Sequence, residues 1–120
     1  MSHHSRSSMM LLGSMLVVGL FGLALVPPSE AADLARGEKV YTLMCKKCHG
    51  AEGKGDGDKA AELKKKPADY TNAGFLNKFS DDDLKKIVLD GKDEMPAYKK
   101  KIRTAEDLEN VISYIKTFAK

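Results

Sequence analysis

Apolar positions recur at helical spacing along most of the chain, and no sustained alternation marks a strand. Leu108, Val111, Ile112, Ile115 and Phe118 share one helical face near the end of the sequence. Thr104 stands as its N-cap, with Glu106 and Asp107 in the first turn, where negative charge is favourable. The stretch "SDDDLKKIVLDG" predicts a second helix, capped by Ser80, opened by Asp81 to Asp83, striped by Leu84, Ile87 and Val88, and stopped by Gly91. A third starts near Asp33 and carries Leu34, Gly37, Val40, Tyr41 and Met44 along one side. Core packing accounts for nearly all of these stripes. Two loops interrupt them: "HGAEGKGDGDK", with four glycines between Gly50 and Gly57, and "GKDEMPAYKKKIRT", centred on Met95 and Pro96. No internal repeat is present.

One apolar run does not fit this scheme. Residues 9–26 form eighteen positions without a charge, after a weakly basic start and before two prolines. That layout predicts an export signal over residues 1–31, with Ser29 and Ala31 as the small residues before the cleavage point. The run is also just long enough to span a bilayer, at roughly 18 residues or more, so an uncleaved anchor is the alternative. Pro27 and Pro28 favour cleavage, because they break the helix where a peptidase needs extended chain. Either way residues 32–120 form one exported domain.

Composition then poses a problem of stability. The domain holds 19 Lys and Arg against 16 Asp and Glu, a mixture too even for the concentrated basic face of a nucleic-acid binder. It has three Phe, four Tyr and no Trp. A domain of under about 90 residues with so little aromatic mass usually needs a disulfide, metal or cofactor to complete its core.

The candidate is "CKKCH", Cys45 to His49. A disulfide between positions three apart closes too short a loop to add much stability and leaves His49 idle. A thioredoxin-like pair needs alternating strands and helices. Structural zinc needs four Cys or His ligands, and the domain has none beyond Cys45, Cys48 and His49. Covalent haem attachment uses all three residues. On a helical turn they project from one face, so two thiols meet the two vinyl groups on one side of a porphyrin while the imidazole rises under the iron.

The sixth iron position separates an electron carrier from a haem enzyme. Met44 is chained to Cys45 on the histidine side, and the domain has no second histidine. That leaves Met95, 46 residues beyond His49. Pro96 biases it towards extended backbone, which suits a ligand presented from a loop.

In order, "ARGEKVYTLMCKKCHGAEGKGDG", "PADYTN", "SDDDLKKIVLDG", "MPAY" and "LENVISYIKTF" make the domain resemble the small monohaem class I c-type cytochromes of bacterial periplasms. The resemblance implies an all-α, cytochrome c-like fold of three to four helices around one covalently attached haem. It also implies that the first and last helices cross, Gly37 and Tyr41 meeting Tyr114, and that His49 and Met95 are the iron ligands. There is one departure. Similar sequences often place proline after "GDG", where this chain has Asp58, and a downstream proline commonly supplies the carbonyl that orients the histidine. Pro67 or another carbonyl must do so here.

Both axial positions filled implies a monomeric periplasmic one-electron carrier and not an enzyme. The alternatives are a haem module of a respiratory complex anchored by residues 9–26, and a haem enzyme or gas sensor whose Met95 dissociates. Redox proteins are the expected partners. Lys46, Lys47 and Lys99 to Lys101 predict a positive surface at the haem edge, suited to an acidic docking partner.

Overall fold

The computed structural model describes residues 31–120; the export segment read over residues 1–31 lies outside the described residues except for Ala31. The chain runs through α1 (Leu34–Met44), α2 (Lys46–His49), a 3-10 turn (Ala60–Glu62), α3 (Ala73–Leu76), α4 (Asp81–Asp90) and α5 (Ala105–Lys116). Among the described residues there is no strand, only an isolated bridge between Lys92 and Met95. The domain is all-α, with five α-helices where the sequence predicted three to four. The additional elements, α2 and α3, are single turns of four residues, too short to show a period of 3.6.

Each long helix starts on the residue that the sequence marked. Asp33 caps α1 by accepting from the Arg36 amide. Ser80 and Asp83 form a reciprocal capping box on α4, and Thr104 accepts from the Asp107 amide on α5. Gly91 ends α4 with φ 79°, a conformation that L side chains resist.

Helices α1 and α5 cross at close range. A Cβ on Gly37 would lie 2.1 Å from the Asn110 carbonyl oxygen, so only glycine allows the approach. Beside it Tyr41 packs on Tyr114 and Phe118, with ring centroids 5.5 and 5.2 Å away. Tyr41, Val111 and Ile112 are the most deeply buried side chains, and each contributes about 1.5–3 kcal/mol through burial. The Tyr41 hydroxyl donates to the Gly50 carbonyl at 2.7 Å, tying α1 to the chain just beyond His49. Outside the core, Arg36 pairs with Glu106 and Asp107, both at 2.7 Å. Such exposed pairs contribute little; the crossing is held by its packing.

Candidate functional site

Helix α1 stops where the two cysteines begin. The Cys45 amide still donates to the Tyr41 carbonyl, and Cys48 and His49 both donate to the Cys45 carbonyl, so the chain makes one further turn around Cys45. Cys45, Cys48 and His49 therefore open on the same cavity of about 320 Å³. The glycine loop folds back over the outside of this turn. Gly55 donates to the His49 carbonyl at 2.8 Å, Gly57 to that of Cys48 at 3.1 Å and Lys59 to that of Lys47 at 2.9 Å. Gly55 has φ 73°, and a Cβ there would lie 2.3 Å from the Pro67 carbonyl oxygen. The loop thus brings residues 66–68 against the turn.

That segment orients the histidine. His49 is 7% exposed, and its Nδ1 lies 3.2 Å from the Ala68 carbonyl oxygen. A carbonyl only accepts, so Nδ1 carries the proton and Nε2 presents its lone pair. Burial lowers the His49 pKa, with the Ala68 bond opposing it, which favours the neutral imidazole that a metal requires. The orienting carbonyl is Ala68, one residue beyond the proline considered from the sequence.

Tyr70, which the sequence left without a role, is buried against the same ring. The rings are stacked with centroids 4.5 Å apart, and the phenol oxygen is 3.1 Å from Nε2. With Nδ1 protonated, the phenol O–H donates to the Nε2 lone pair, the same lone pair that would bind a haem iron. The Tyr70 amide donates to the Gly53 carbonyl at 2.7 Å, fixing the aromatic residue through the glycine loop. Its only signal in the sequence was an aromatic residue in "PADYTN".

Walls of Phe75, Phe79, Leu84, Val88, Ile112 and Ile115 line the rest of the cavity. Met95 is half-buried on it. Gly91 turns the chain out of α4, Lys92 and Met95 exchange two backbone hydrogen bonds of 3.1 and 2.9 Å, and the Tyr98 amide returns to the Val88 carbonyl. Met44 also reaches the wall, although its backbone is fixed beside Cys45. Its carbonyl accepts from the Tyr98 hydroxyl at 2.9 Å, joining α1 to the loop of Met95.

The donor set fits a haem bound through thioethers. Cys45 and Cys48 carry free thiols, and burial raises that of Cys45 to about 12, so it is neutral at pH 7. No grouping of three His, Cys, Asp or Glu among the described residues is arranged for a bare metal ion. Two thiols, an oriented neutral imidazole and a thioether instead open on an apolar space, and ligand clefts commonly occupy ~300–1,000 Å³.

The family described as "Cytochrome C oxidase, cbb3-type, subunit III" matches residues 32–115. The chain belongs to the cytochrome c family. Cytochrome c6 of Gloeothece citriformis is 34% identical over 80% of this chain and 81% of its own. Cytochrome c-555 of Methylococcus capsulatus is 32% identical over 67% of this chain and 58% of its own. Among solved structures, the KustC0563 c-type cytochrome superposes with TM-score 0.61 at 28% identity, covering 70% of this chain and 98% of that one. The cytochrome is thus an electron carrier similar to the small class I cytochromes, and its Cys45-x-x-Cys48-His49 motif is consistent with the covalent haem that the family implies.

Proposed function

We propose that this cytochrome is a periplasmic one-electron carrier holding one haem c through Cys45 and Cys48, with His49 and Met95 as axial ligands. The observation that carries the reading is that these four side chains open on one apolar cavity. A haem held there supplies a reversible one-electron iron couple. Ala68 fixes the His49 tautomer, thioether sulfur from Met95 favours Fe(II), and the apolar walls disfavour additional charge, which together raise the potential. Were His49 and Met95 both to hold the iron, water, oxygen and peroxide would find no open position, which suits a carrier and not an enzyme. Mixing the ferrous protein with carbon monoxide tests this: the expected result is an unchanged spectrum, and a rapid spectral shift would point to a haem enzyme or gas sensor.

The periplasmic location rests on the export signal read over residues 1–31. A haem module within a respiratory complex is the second reading, favoured by the oxidase subunit for which the matching family is named. No helix among the described residues is long and apolar enough to cross a membrane. Recovery in the membrane fraction would favour the module.

An acidic redox partner is proposed for the outer side of Cys48. Lys47, Lys59, Lys100, Lys101 and Arg103 line a concave face there with no carboxylate among its lining residues, and Leu43 stands 69% exposed on it. Lys46 and Lys99, included in the surface expected from the sequence, do not line it. Charged oxidants probe the face. The double variant K100E/R103E should slow oxidation of the ferrous protein by hexacyanoferrate(III) roughly tenfold at low salt and accelerate oxidation by tris(phenanthroline)cobalt(III). The contrast should fade near 0.1 M salt, where the screening length is about 10 Å. Equal effects from K78E/K86E, which carries the same net charge away from this face, would reduce the result to overall charge and remove the docking proposal.

A further inference from the structure

The loop that presents Met95 is tied to the protein on two sides. Behind Met95, the Tyr98 amide and hydroxyl bind the Val88 and Met44 carbonyls. Ahead of it, the turn of Lys92 to Met95 spends its backbone bonds internally, and its side chains attach it to the rest of the chain: Lys92 lies over the Phe79 ring at 5.9 Å, and the Glu94 carboxylate makes hydrogen bonds. One oxygen of that carboxylate accepts from the Lys64 amide at 3.2 Å and the other from the Lys65 amide at 3.1 Å. The neighbouring ion pair of Lys65 with Asp93, 3.7 Å and exposed, adds little.

The partner segment gives this contact its significance. Glu94 accepts from both the Lys64 and Lys65 amides, and the same segment continues to Ala68, whose carbonyl orients His49. Lys65, Lys66, Asp93 and Glu94 all stand on the rim of the cavity. One carboxylate therefore clips the segment behind His49 to the loop bearing Met95.

We infer that Glu94 is a positioning residue whose clip to the Lys64 and Lys65 amides holds Met95 against the cavity and sets how readily the sixth iron position opens. The inference rests on the ligation by Met95 proposed above. A carboxylate bonded to two consecutive amides is stronger than a neutral acceptor and fixes direction as well as distance. Glutamine keeps the length and one acceptor oxygen, while alanine removes both. Leaving the sixth position requires Met95 to swing away with its turn, so freeing the turn raises the open fraction without touching His49, Cys45 or Cys48.

The test compares ferric holoprotein with its Glu94→Gln and Glu94→Ala variants, using imidazole as the entering ligand and amide hydrogen exchange as a second readout. Glu94→Ala should bind imidazole several-fold to roughly tenfold faster, the upper end for exposed charge-assisted contacts, with Glu94→Gln between it and the parent. The Lys64 and Lys65 amides should lose protection in Glu94→Ala while those of α1 and α5 keep theirs. If the parent protein shows the far-red band of thioether ligation and Glu94→Ala takes up imidazole no faster, the clip does not control opening and the inference is overturned alone. A parent without that band overturns the Met95 assignment and this inference with it. Lys64 and Lys65 amides as protected in Glu94→Ala as in the parent would show that the clip is not made.

Discussion

Replacing Met95 with Ala is expected to leave the haem attached and convert the carrier into a poor enzyme. Cys45 joins α1 to α2, Cys48 and His49 lie on α2, the supports of His49 come from Ala68 and Tyr70, and none of these depends on the Met95 side chain. The far-red ferric band of sulfur ligation should vanish. The reduction potential should fall by on the order of 0.1 V, a fraction of the ~0.8 V over which axial ligands tune haem iron. Carbon monoxide should bind the ferrous form, and slow peroxidase activity should appear. Of the two lysines near Met95 in sequence, Lys92 lines the cavity, 5.9 Å from the Phe79 ring, and Lys99 does not; Lys65 and Lys66 stand on the same rim, so these three are the lysines placed to enter the vacated position. Met44→Ala is the control. It removes half-buried packing worth about 1–2 kcal/mol and should leave band and potential in place.

The second large effect concerns folding. The double change Cys45→Ala, Cys48→Ala removes covalent attachment, and the haem-free chain is expected to be largely disordered. A cavity of about 320 Å³ at the centre of so small a domain, at about 24 cal/mol per Å³, costs on the order of 8 kcal/mol if it stays open. That is comparable with the whole stability of a small domain, roughly 5–15 kcal/mol. The α1–α5 crossing survives in principle, but α4 and the loop of Met95 face the cavity and lose their packing partner. Circular dichroism on heating should show no cooperative transition. A sharp cooperative melt in the haem-free chain would show that the helices carry the fold alone.

Helices α1, α4 and α5 were legible because each combines a 3.6-residue stripe with a capping residue, and these local signals agree with the packing. The crossing at Gly37 was legible through the family resemblance. Helices α2 and α3 were not, since one turn contains no period. At the site, the cysteines, His49 and Met95 stood out by side-chain chemistry. The groups that orient them did not: Ala68 acts through a backbone carbonyl, which no residue type announces, and Tyr70 and Glu94 act across 21 and 29–30 residues. The missing proline after "GDG" proved local in its consequence. Gly57 and Lys59 still bond the carbonyls of Cys48 and Lys47 on either side of Asp58. Charge was legible only in part, because a lysine run on a turn points its members in different directions: Lys47, Lys100 and Lys101 share the basic face with Lys59 and Arg103, while Lys46 and Lys99 do not.

The central claim is that the iron sits between His49 and the sulfur of Met95. The ferric absorption spectrum of the unmodified protein tests it most directly. The expected result is the weak far-red band of iron bonded to thioether sulfur, present in the parent and in Met44→Ala and absent in Met95→Ala. A ferric spectrum without that band, or a band that survives Met95→Ala, would contradict the assignment and remove the main support for the sealed one-electron carrier.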